Sequence, residues 1–196
     1  TAFDGQEDTL RSQGVRIFPG RSASRDLEPE YASISPDGTR AYVTLQEANS
    51  VAVVDLVQPK ILEIQPLGVK DHSLPGNGID PSDRDDAVAI APHPVFGLYM
   101  PDAITSFEVG GQTFYATANE GDSRDFDEDR IKDIVLDPTV FPNAADLQED
   151  DVLGRLTISN IDGDTDGDGD FDQLFTFGAR SFTIFNASGD VVFDSG

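Results

Sequence analysis

The clearest sequence signal for the fold is the stretch Ser33-Ile34-Ser35-Pro36-Asp37-Gly38-Thr39-Arg40-Ala41-Tyr42-Val43. Its centre, Ser35-Pro36-Asp37-Gly38, predicts a turn, because proline presets φ, aspartate can bond its own backbone and glycine accepts a positive φ. Residues 31–35 and 40–45 flank this turn on its two sides. The stretch therefore predicts a β-hairpin.

Two further strands follow this hairpin. Residues 51–56 are almost wholly apolar, which is typical of a strand buried on both faces. Residues 60–67 carry Ile61, Leu62, Ile64 and Leu67 and predict a fourth strand. Four short strands between residues 31 and 67 have the size and content of one propeller blade.

Strand patterns resume after a long stretch rich in proline and aspartate, residues 70–101, which predicts a long surface loop. The acidic segment 126–153 predicts a short helix near residues 144–151. The remaining predicted strands are residues 104–109, 113–118, 155–159, 173–177, 181–185 and 191–193. Gly110-Gly111 and Asn186–Asp190 predict turns between neighbouring strands.

An internal repeat supports a blade architecture. Tyr42–Ser50 aligns with Tyr115–Ser123, with tyrosine, threonine, glutamate and serine at matching positions. The alignment places Glu47 and Glu120 at one structural position in successive blades. We therefore expect an all-β chain, with residues 1–196 forming part of a β-propeller of several four-stranded blades. Because the sequence begins and ends abruptly, we expect it to be a fragment of a larger propeller.

The composition excludes several classes of partner. The chain has 37 acidic and 13 basic residues and a formal net charge of -24, which repels nucleic acid and anionic membranes and attracts divalent cations. A halophilic or marine surface is the alternative explanation for most of this charge. The absence of cysteine excludes disulfides and thiolate metal sites. No apolar run approaches the roughly 18 residues of a transmembrane helix.

The strongest local motif is the loop Asp162–Asp172, which has an aspartate at every second position. Calcium takes six to eight oxygen ligands, and such a loop supplies them closely spaced. Phe175 stands where an EF-hand requires a bidentate glutamate, so the loop is instead typical of calcium-binding hairpins, here over residues 155–177. The alternative is a solvated acidic turn. The predicted ligands are Asp164, Asp166, Asp168, Asp170 and Asp172.

A second acidic set predicts a catalytic metal site. Clustered carboxylates near a propeller axis could hold one or two metal ions that polarise a phosphoryl group, while arginines bind its oxygens. The alternative is that these side chains cap loops and pair locally. The predicted catalytic residues are Glu47, Glu120, Arg124 and Arg180, with Glu120 and Asp122 also predicted as metal ligands. Asp125, Glu28 and Glu30 are further members of this acidic set.

Several segments carry a resemblance to known families. The opening stretch, followed by Val51–Asp55, resembles bacterial surface-layer propeller repeats of the YVTN type. Nearly the whole chain resembles the bacterial choice-of-anchor I proteins. The segments that carry this second resemblance are Phe3–Leu10, Leu45–Asn49, Lys70–Gly78, Thr117–Asp122 and Gly178–Phe182. It implies an exported propeller, secreted or attached to the cell surface, of a family often labelled alkaline phosphatase or nucleotidase and related to phytase-like propellers.

Two function hypotheses follow. In the first, the chain is part of a metal-dependent phosphoesterase with Ca²⁺ in the hairpin loop and a second divalent or trivalent metal at the catalytic set. In the second, it is a non-enzymatic adhesion or matrix module stiffened by calcium. A metal ion bound by Glu47 and Glu120 would favour the enzyme, whereas calcium confined to the hairpin loop would favour the module.

Overall fold

The turn Ser35–Gly38 joins two antiparallel strands in the computed structural model, which describes residues 2–124 and 126–196. Asp37 Oδ1 accepts hydrogen bonds from Ser35 Oγ at 2.6 Å and from the Thr39 backbone N at 3.0 Å. Gly38 has a φ of 71°, the conformation for which glycine is suited. The predicted hairpin is confirmed.

The described residues form thirteen strands and three short α-helices. The strands are β1 (Ala32–Ile34), β2 (Arg40–Leu45), β3 (Ser50–Asp55), β4 (Lys60–Pro66), β5 (Val69–Asp71), β6 (Phe96–Leu98), β7 (Ala103–Val109), β8 (Gln112–Asn119), β9 (Glu128–Arg130), β10 (Thr157–Ser159), β11 (Phe175–Phe177), β12 (Ser181–Asn186) and β13 (Val191–Asp194). The helices are α1 (Glu7–Ser12), α2 (Ala23–Asp26) and α3 (Ala144–Leu147), and a 3-10 turn covers Ile131–Asp133. None of the helices in the described ranges has the length and apolarity needed to cross a membrane.

Two of the sheets have four strands, and in both sheets neighbouring strands follow one another in chain order. One is β1-β2-β3-β4, and the other is β7-β8-β12-β13. The strands β2 and β8, which carry the sequence repeat, are each the second strand of their sheet. A short turn connects β2 to β3, whereas the chain runs through residues 120–180 before β8 is joined by β12. The all-β class is confirmed, whereas the repeat of successive blades and their assembly into a propeller stay predictions.

The four-stranded sheets lie in one compact unit, made of Thr1–Gly68, Tyr99–Asp122 and Gly178–Gly196. A second unit consists of Val69–Leu98 and Ser123–Phe177. It contains the third sheet, of order β5-β6-β11-β10-β9, in which β6 and β11 are parallel and the other pairs are antiparallel.

The predicted long loop over residues 70–101 includes short strands at its two ends. This stretch contains β6 and most of β5. Both strands are only three residues long, so the aspartates and prolines around them dominate the local sequence pattern. Strand β5 pairs with β6, and β6 pairs in turn with β11 far along the chain, where Phe96 is opposite Phe175.

Each unit has its own apolar core. In the first unit, Tyr42, Val51 and Val53 of one sheet pack with Tyr115 and Phe185 of the other. The opposite side of the β1–β4 sheet is covered by apolar residues of the N-terminal segment, including Leu10, Val15 and Ile17. In the second unit, the core is formed by Val95, Ile131, Leu136, Phe141, Leu147, Leu153, Ile158 and Leu174.

Candidate metal centre

The acidic loop connects β10 to β11 in the second unit. These strands pair antiparallel through Ile158 and Thr176, as the predicted hairpin requires. The base of the loop is closed by the Gly163 carbonyl O, which accepts hydrogen bonds from the backbone N atoms of Asp172 at 2.9 Å and Gln173 at 3.1 Å. Gly163 has a φ of 118°, and a Cβ at this position would overlap the Gln173 carbonyl O. Only glycine closes the loop in this way.

Within the loop, carboxylates accept hydrogen bonds from backbone N–H groups. Asp164 accepts from Gly167 at 2.7 Å and from Gly169 at 3.1 Å through its two oxygens. Asp166 and Asp168 each accept from the backbone N two residues further on, at 3.2 Å. These are the local turns that short acidic side chains favour, and they fold the loop tightly.

Asp172 is held at the end of the loop by Thr165. One carboxylate oxygen, Oδ2, accepts from the Thr165 backbone N at 2.8 Å and from the Thr165 hydroxyl at 2.6 Å. The Asp172 side chain is half-buried, whereas those of Asp164, Asp166 and Asp168 are exposed. Asp172 is therefore both hydrogen-bonded and partly shielded from solvent.

Asp137 joins the loop although it lies far from it in sequence. Leu136 and Phe171 form an isolated parallel bridge, in which the Phe171 N–H donates to the Val135 carbonyl at 2.9 Å and the Asp137 N–H donates to the Phe171 carbonyl at 3.1 Å. Phe171 is partly buried and packs against the core of the second unit. This pairing brings the Asp137 carboxylate beside those of Asp170 and Asp172.

Two sets of three carboxylates result. Asp164, Asp166 and Asp172 form one set, and Asp137, Asp170 and Asp172 form the other. Within each set, one oxygen from every residue lies within 4.8 Å of the others. Asp172 belongs to both sets, so the loop and Asp137 form one continuous acidic cluster. Of the five predicted ligands, Asp168 is the one that belongs to neither set.

Like charges perturb the carboxyl groups of this cluster. The negative charge of Asp168 raises the pKa of Asp166 above its ordinary value. Burial, followed by the charge of Asp168, raises the pKa of Asp170. Hydrogen bonds from Thr139 instead lower the pKa of Asp137, which favours its charged form. A cation would relieve the repulsion among these groups.

The donor set fits a hard divalent cation. All the grouped side chains offer carboxylate oxygens, which calcium, magnesium and manganese prefer. Calcium suits an irregular, partly exposed loop best, because it accepts six to eight oxygens in flexible geometry, whereas magnesium demands a near-ideal octahedron. Backbone carbonyls and water would complete its coordination.

The predicted catalytic residues are distributed over both units. In the first unit, Glu47 is half-buried in the turn between β2 and β3, and Arg16 donates to its backbone carbonyl at 3.3 Å. Glu120 follows β8 and is exposed, and its carbonyl abuts Gly178 so closely that a Cβ there would overlap it. The exposed Arg180 precedes β12, with a φ of 54°.

The other members of this predicted set are mostly at the surface. Asp122, Glu28 and Glu30 are exposed in the first unit. Arg124 is half-buried in the second unit, where its backbone N donates to Asp127 Oδ1 at 3.0 Å. Asp125 lies outside the described residues. Among the described residues, the two sets that share Asp172 are the acidic groups whose oxygens converge at metal-binding distances.

Sequence reasoning missed Asp137 as a candidate ligand. Its sequence neighbourhood, Val135-Leu136-Asp137-Pro138-Thr139, carries no metal-binding spacing. The available signal was the apolar pair Val135-Leu136 before an aspartate, which is compatible with a short strand ending in a ligand.

The strands and the acidic hairpin loop make this chain a β-protein with a candidate metal-binding loop. Comparison with known families identifies its family. The choice-of-anchor I domain matches residues 1–196, and the chain belongs to this family. Membership implies an exported or cell-surface bacterial protein, as the resemblance predicted.

Other comparisons assign no function. No curated protein matches the chain. A solved structure of Kuenenia stuttgartiensis hydrazine synthase is similar to it, with 14% sequence identity and a TM-score of 0.29. The similarity covers 86% of this chain and 37% of that one, so the chain spans little more than a third of that protein's length.

Proposed function

We propose that the chain is a calcium-stabilised module of an exported or cell-surface bacterial protein. The observation that carries the proposal is the sharing of Asp172 by two sets of carboxylates, one inside the loop and one reaching Asp137. Calcium bound at these sets would cross-link the hairpin loop to the segment that carries Asp137. The same ion would offset the repulsion that raises the pKa values of Asp166 and Asp170.

Calcium would act here as a structural ligand. An ion that binds the folded state and not the unfolded one adds about 2.7 kcal/mol of stability at a hundredfold excess over its Kd. The module would therefore be stiff outside the cell, where free calcium is abundant, in keeping with an adhesive or matrix role. The partner in that role would be a component of the cell surface or the matrix.

The experiment is thermal unfolding in calcium and in EGTA, with three matched proteins. We expect calcium to raise the Tm of the parent, and Asp172→Asn to remove most of this rise, because the substitution alters both sets at once. Asp151→Asn is the control, since Asp151 is an exposed aspartate of the same unit outside both sets. Equal calcium responses in the parent and in Asp172→Asn would contradict the proposal.

The phosphoesterase hypothesis stays a prediction and needs a separate assay. Hydrolysis of a generic phosphomonoester, with calcium supplied, tests it on this chain and on Glu47→Gln and Glu120→Gln. Activity that both substitutions abolish would support a catalytic metal at this set. No activity in the parent would leave the structural module as the function of the chain.

A further inference from the structure

A polar cleft of about 560 Å³ opens on the first unit, and none of the candidate metal ligands or predicted catalytic residues lines it. Three segments line it: α1 with its flanking residues, the C-terminal part of β4 and the turn between β12 and β13. Its volume falls within the range of about 300–1,000 Å³ that is typical of small-molecule sites. The polar lining residues are Gln6, Thr9, Gln13, Glu63, Gln65, Ser188 and Asp190.

The chemistry of this lining is specific. Glutamine amides donate and accept hydrogen bonds, hydroxyls do both, and the carboxylates of Glu63 and Asp190 accept them. No lysine, arginine or histidine is among the described residues that line the cleft. Two carboxylates without a cation, on a chain of net charge -24, disfavour phosphate, sulfate or carboxylate groups on a ligand.

Apolar surface lies beside the polar groups. Phe3 and Leu62 line the same cleft, and Leu62 is 40% exposed. A ring and an aliphatic side chain beside amides and carboxylates suit a ligand with one apolar C–H face and many hydroxyls.

The floor of the cleft is preorganised by Gln65, which is only 5% exposed. Its Oε1 accepts a hydrogen bond from the Tyr115 hydroxyl at 3.1 Å. Its Nε2 donates to Glu63 Oε1 at 2.9 Å and to the Ala187 carbonyl at 3.0 Å. These bonds fix the amide and hold the Glu63 carboxylate and the β12–β13 turn on either side of it. A site that is ordered before binding loses less entropy when the ligand arrives.

We propose that this cleft binds an uncharged polyhydroxylated ligand, with the chemistry of a neutral oligosaccharide. Every sugar hydroxyl is both a donor and an acceptor, and the cleft offers partners of both kinds. The carboxylates of Glu63 and Asp190 accept from hydroxyl groups, and the amides of Gln6 and Gln13 bind them from the opposite wall. The cleft belongs to the first unit and shares no residue with the acidic loop.

The test uses the whole chain, labelled with ¹⁵N, in a buffer with calcium. The neutral probes are maltohexaose, cellohexaose, laminarihexaose and chitohexaose. The anionic controls are inorganic phosphate and a heparin hexasaccharide. We expect at least one neutral hexasaccharide to shift the backbone amide signals of residues 6–13, 62–66 and 188–190. The anionic probes are expected to leave these signals unchanged.

Variants then locate the site. Gln13→Ala removes an exposed amide from the wall and is expected to weaken binding about tenfold, the effect of losing roughly one good hydrogen bond. Gln58→Ala is the matched control, because Gln58 is an exposed glutamine in the turn between β3 and β4, outside the cleft. Glu63→Gln keeps the shape and a carbonyl acceptor for Gln65, and tests whether the charge contributes to binding.

The proposal is overturned if none of the neutral hexasaccharides shifts these signals at millimolar concentration. It is also overturned if the heparin hexasaccharide or phosphate binds there, or if Gln13→Ala and Gln58→Ala bind equally well. Repeating the titration in EGTA separates this site from the metal centre, since a failure of calcium to raise the Tm would leave the oligosaccharide result unaffected.

Discussion

The ring of Tyr42 packs against the ring of Tyr115, with centroids 4.9 Å apart, and each residue lies on the second strand of its four-stranded sheet. Both side chains are fully buried. Thr44 and Thr117, two residues further along, are buried as well. Residues that occupy equivalent positions in the aligned segments therefore contact each other in the core of the first unit.

This contact leads to a prediction about the Tyr115 hydroxyl. Tyr115→Phe keeps the ring but removes the donor to Gln65 Oε1, a buried acceptor. We expect a loss of about 1–3 kcal/mol in the free energy of unfolding, measured by urea denaturation followed by circular dichroism. Tyr31→Phe is the control, because Tyr31 is 56% exposed, and it should change stability little. Identical midpoints for the two variants would show that the bond contributes nothing.

A second prediction concerns Asn49 in the turn between β2 and β3. Asn49 is 2% exposed and has a φ of 50°. Its amide donates to the Gly68 carbonyl at 2.7 Å, and its Oδ1 accepts from the Met100 backbone N at 2.9 Å. Asn49→Ala removes both bonds and places a less tolerant residue at positive φ, so we expect a loss of about 3 kcal/mol by the same measurement.

The control for this variant is Asn143→Ala. Asn143 is exposed and makes no side-chain capping bond at the start of α3. Equal stabilities of the two variants would mean that Asn49 does not join these segments as the structure indicates.

Acid is expected to loosen the N-terminal segment of the first unit. A backbone hydrogen bond from Ser24 lowers the pKa of Asp4 below its ordinary value, and one from Ala23 does the same for the pKa of Glu7. A lowered folded-state pKa contributes stability that is present above the unfolded-state pKa and is lost as the pH falls through the folded-state pKa. The loss is thus expected below about pH 4.

Hydrogen exchange of residues 5–27 at pH 6 and pH 3 measures this effect. Protection factors, which correct each exchange rate for the intrinsic rate at that pH, should be lower at pH 3, and Asp4→Asn with Glu7→Gln should already lower them at pH 6. Glu30→Gln serves as the control, since Glu30 is an exposed acidic residue of the same unit. Unchanged exchange in the double variant would show that these carboxylates do not hold the segment.

Asp137→Asn tests the part of the metal centre that the sequence did not reveal. Asparagine can still accept the hydrogen bonds from the Thr139 N and hydroxyl, both at 2.6 Å, so the fold should persist. The loss of one carboxylate should weaken calcium binding, seen by isothermal titration calorimetry as a Kd raised about tenfold. If Asp137→Asn and Asp151→Asn have the same Kd for calcium, Asp137 is not a calcium ligand. Calcium would then bind only within the loop, or at neither set.

Local chemistry explains which parts of this molecule could be predicted from sequence. The hairpin at residues 32–45 was predictable because Pro36, Asp37 and Gly38 specify their own turn. The candidate ligands Asp164, Asp166 and Asp172 follow from spacing within one short segment. Asp137 and strand β6 depend instead on pairing with Phe171 and Phe175, which are distant in sequence, so no local pattern announces them.

The most direct test of the calcium claim is an anomalous difference map from crystals grown with calcium. We predict a calcium peak within about 2.3–2.6 Å of a carboxylate oxygen of Asp172, with further ligands from Asp164 and Asp166 or from Asp137 and Asp170. Absence of a peak at both sets would contradict the account. A calcium peak between Glu47 and Glu120 instead would favour the catalytic metal site over the structural one.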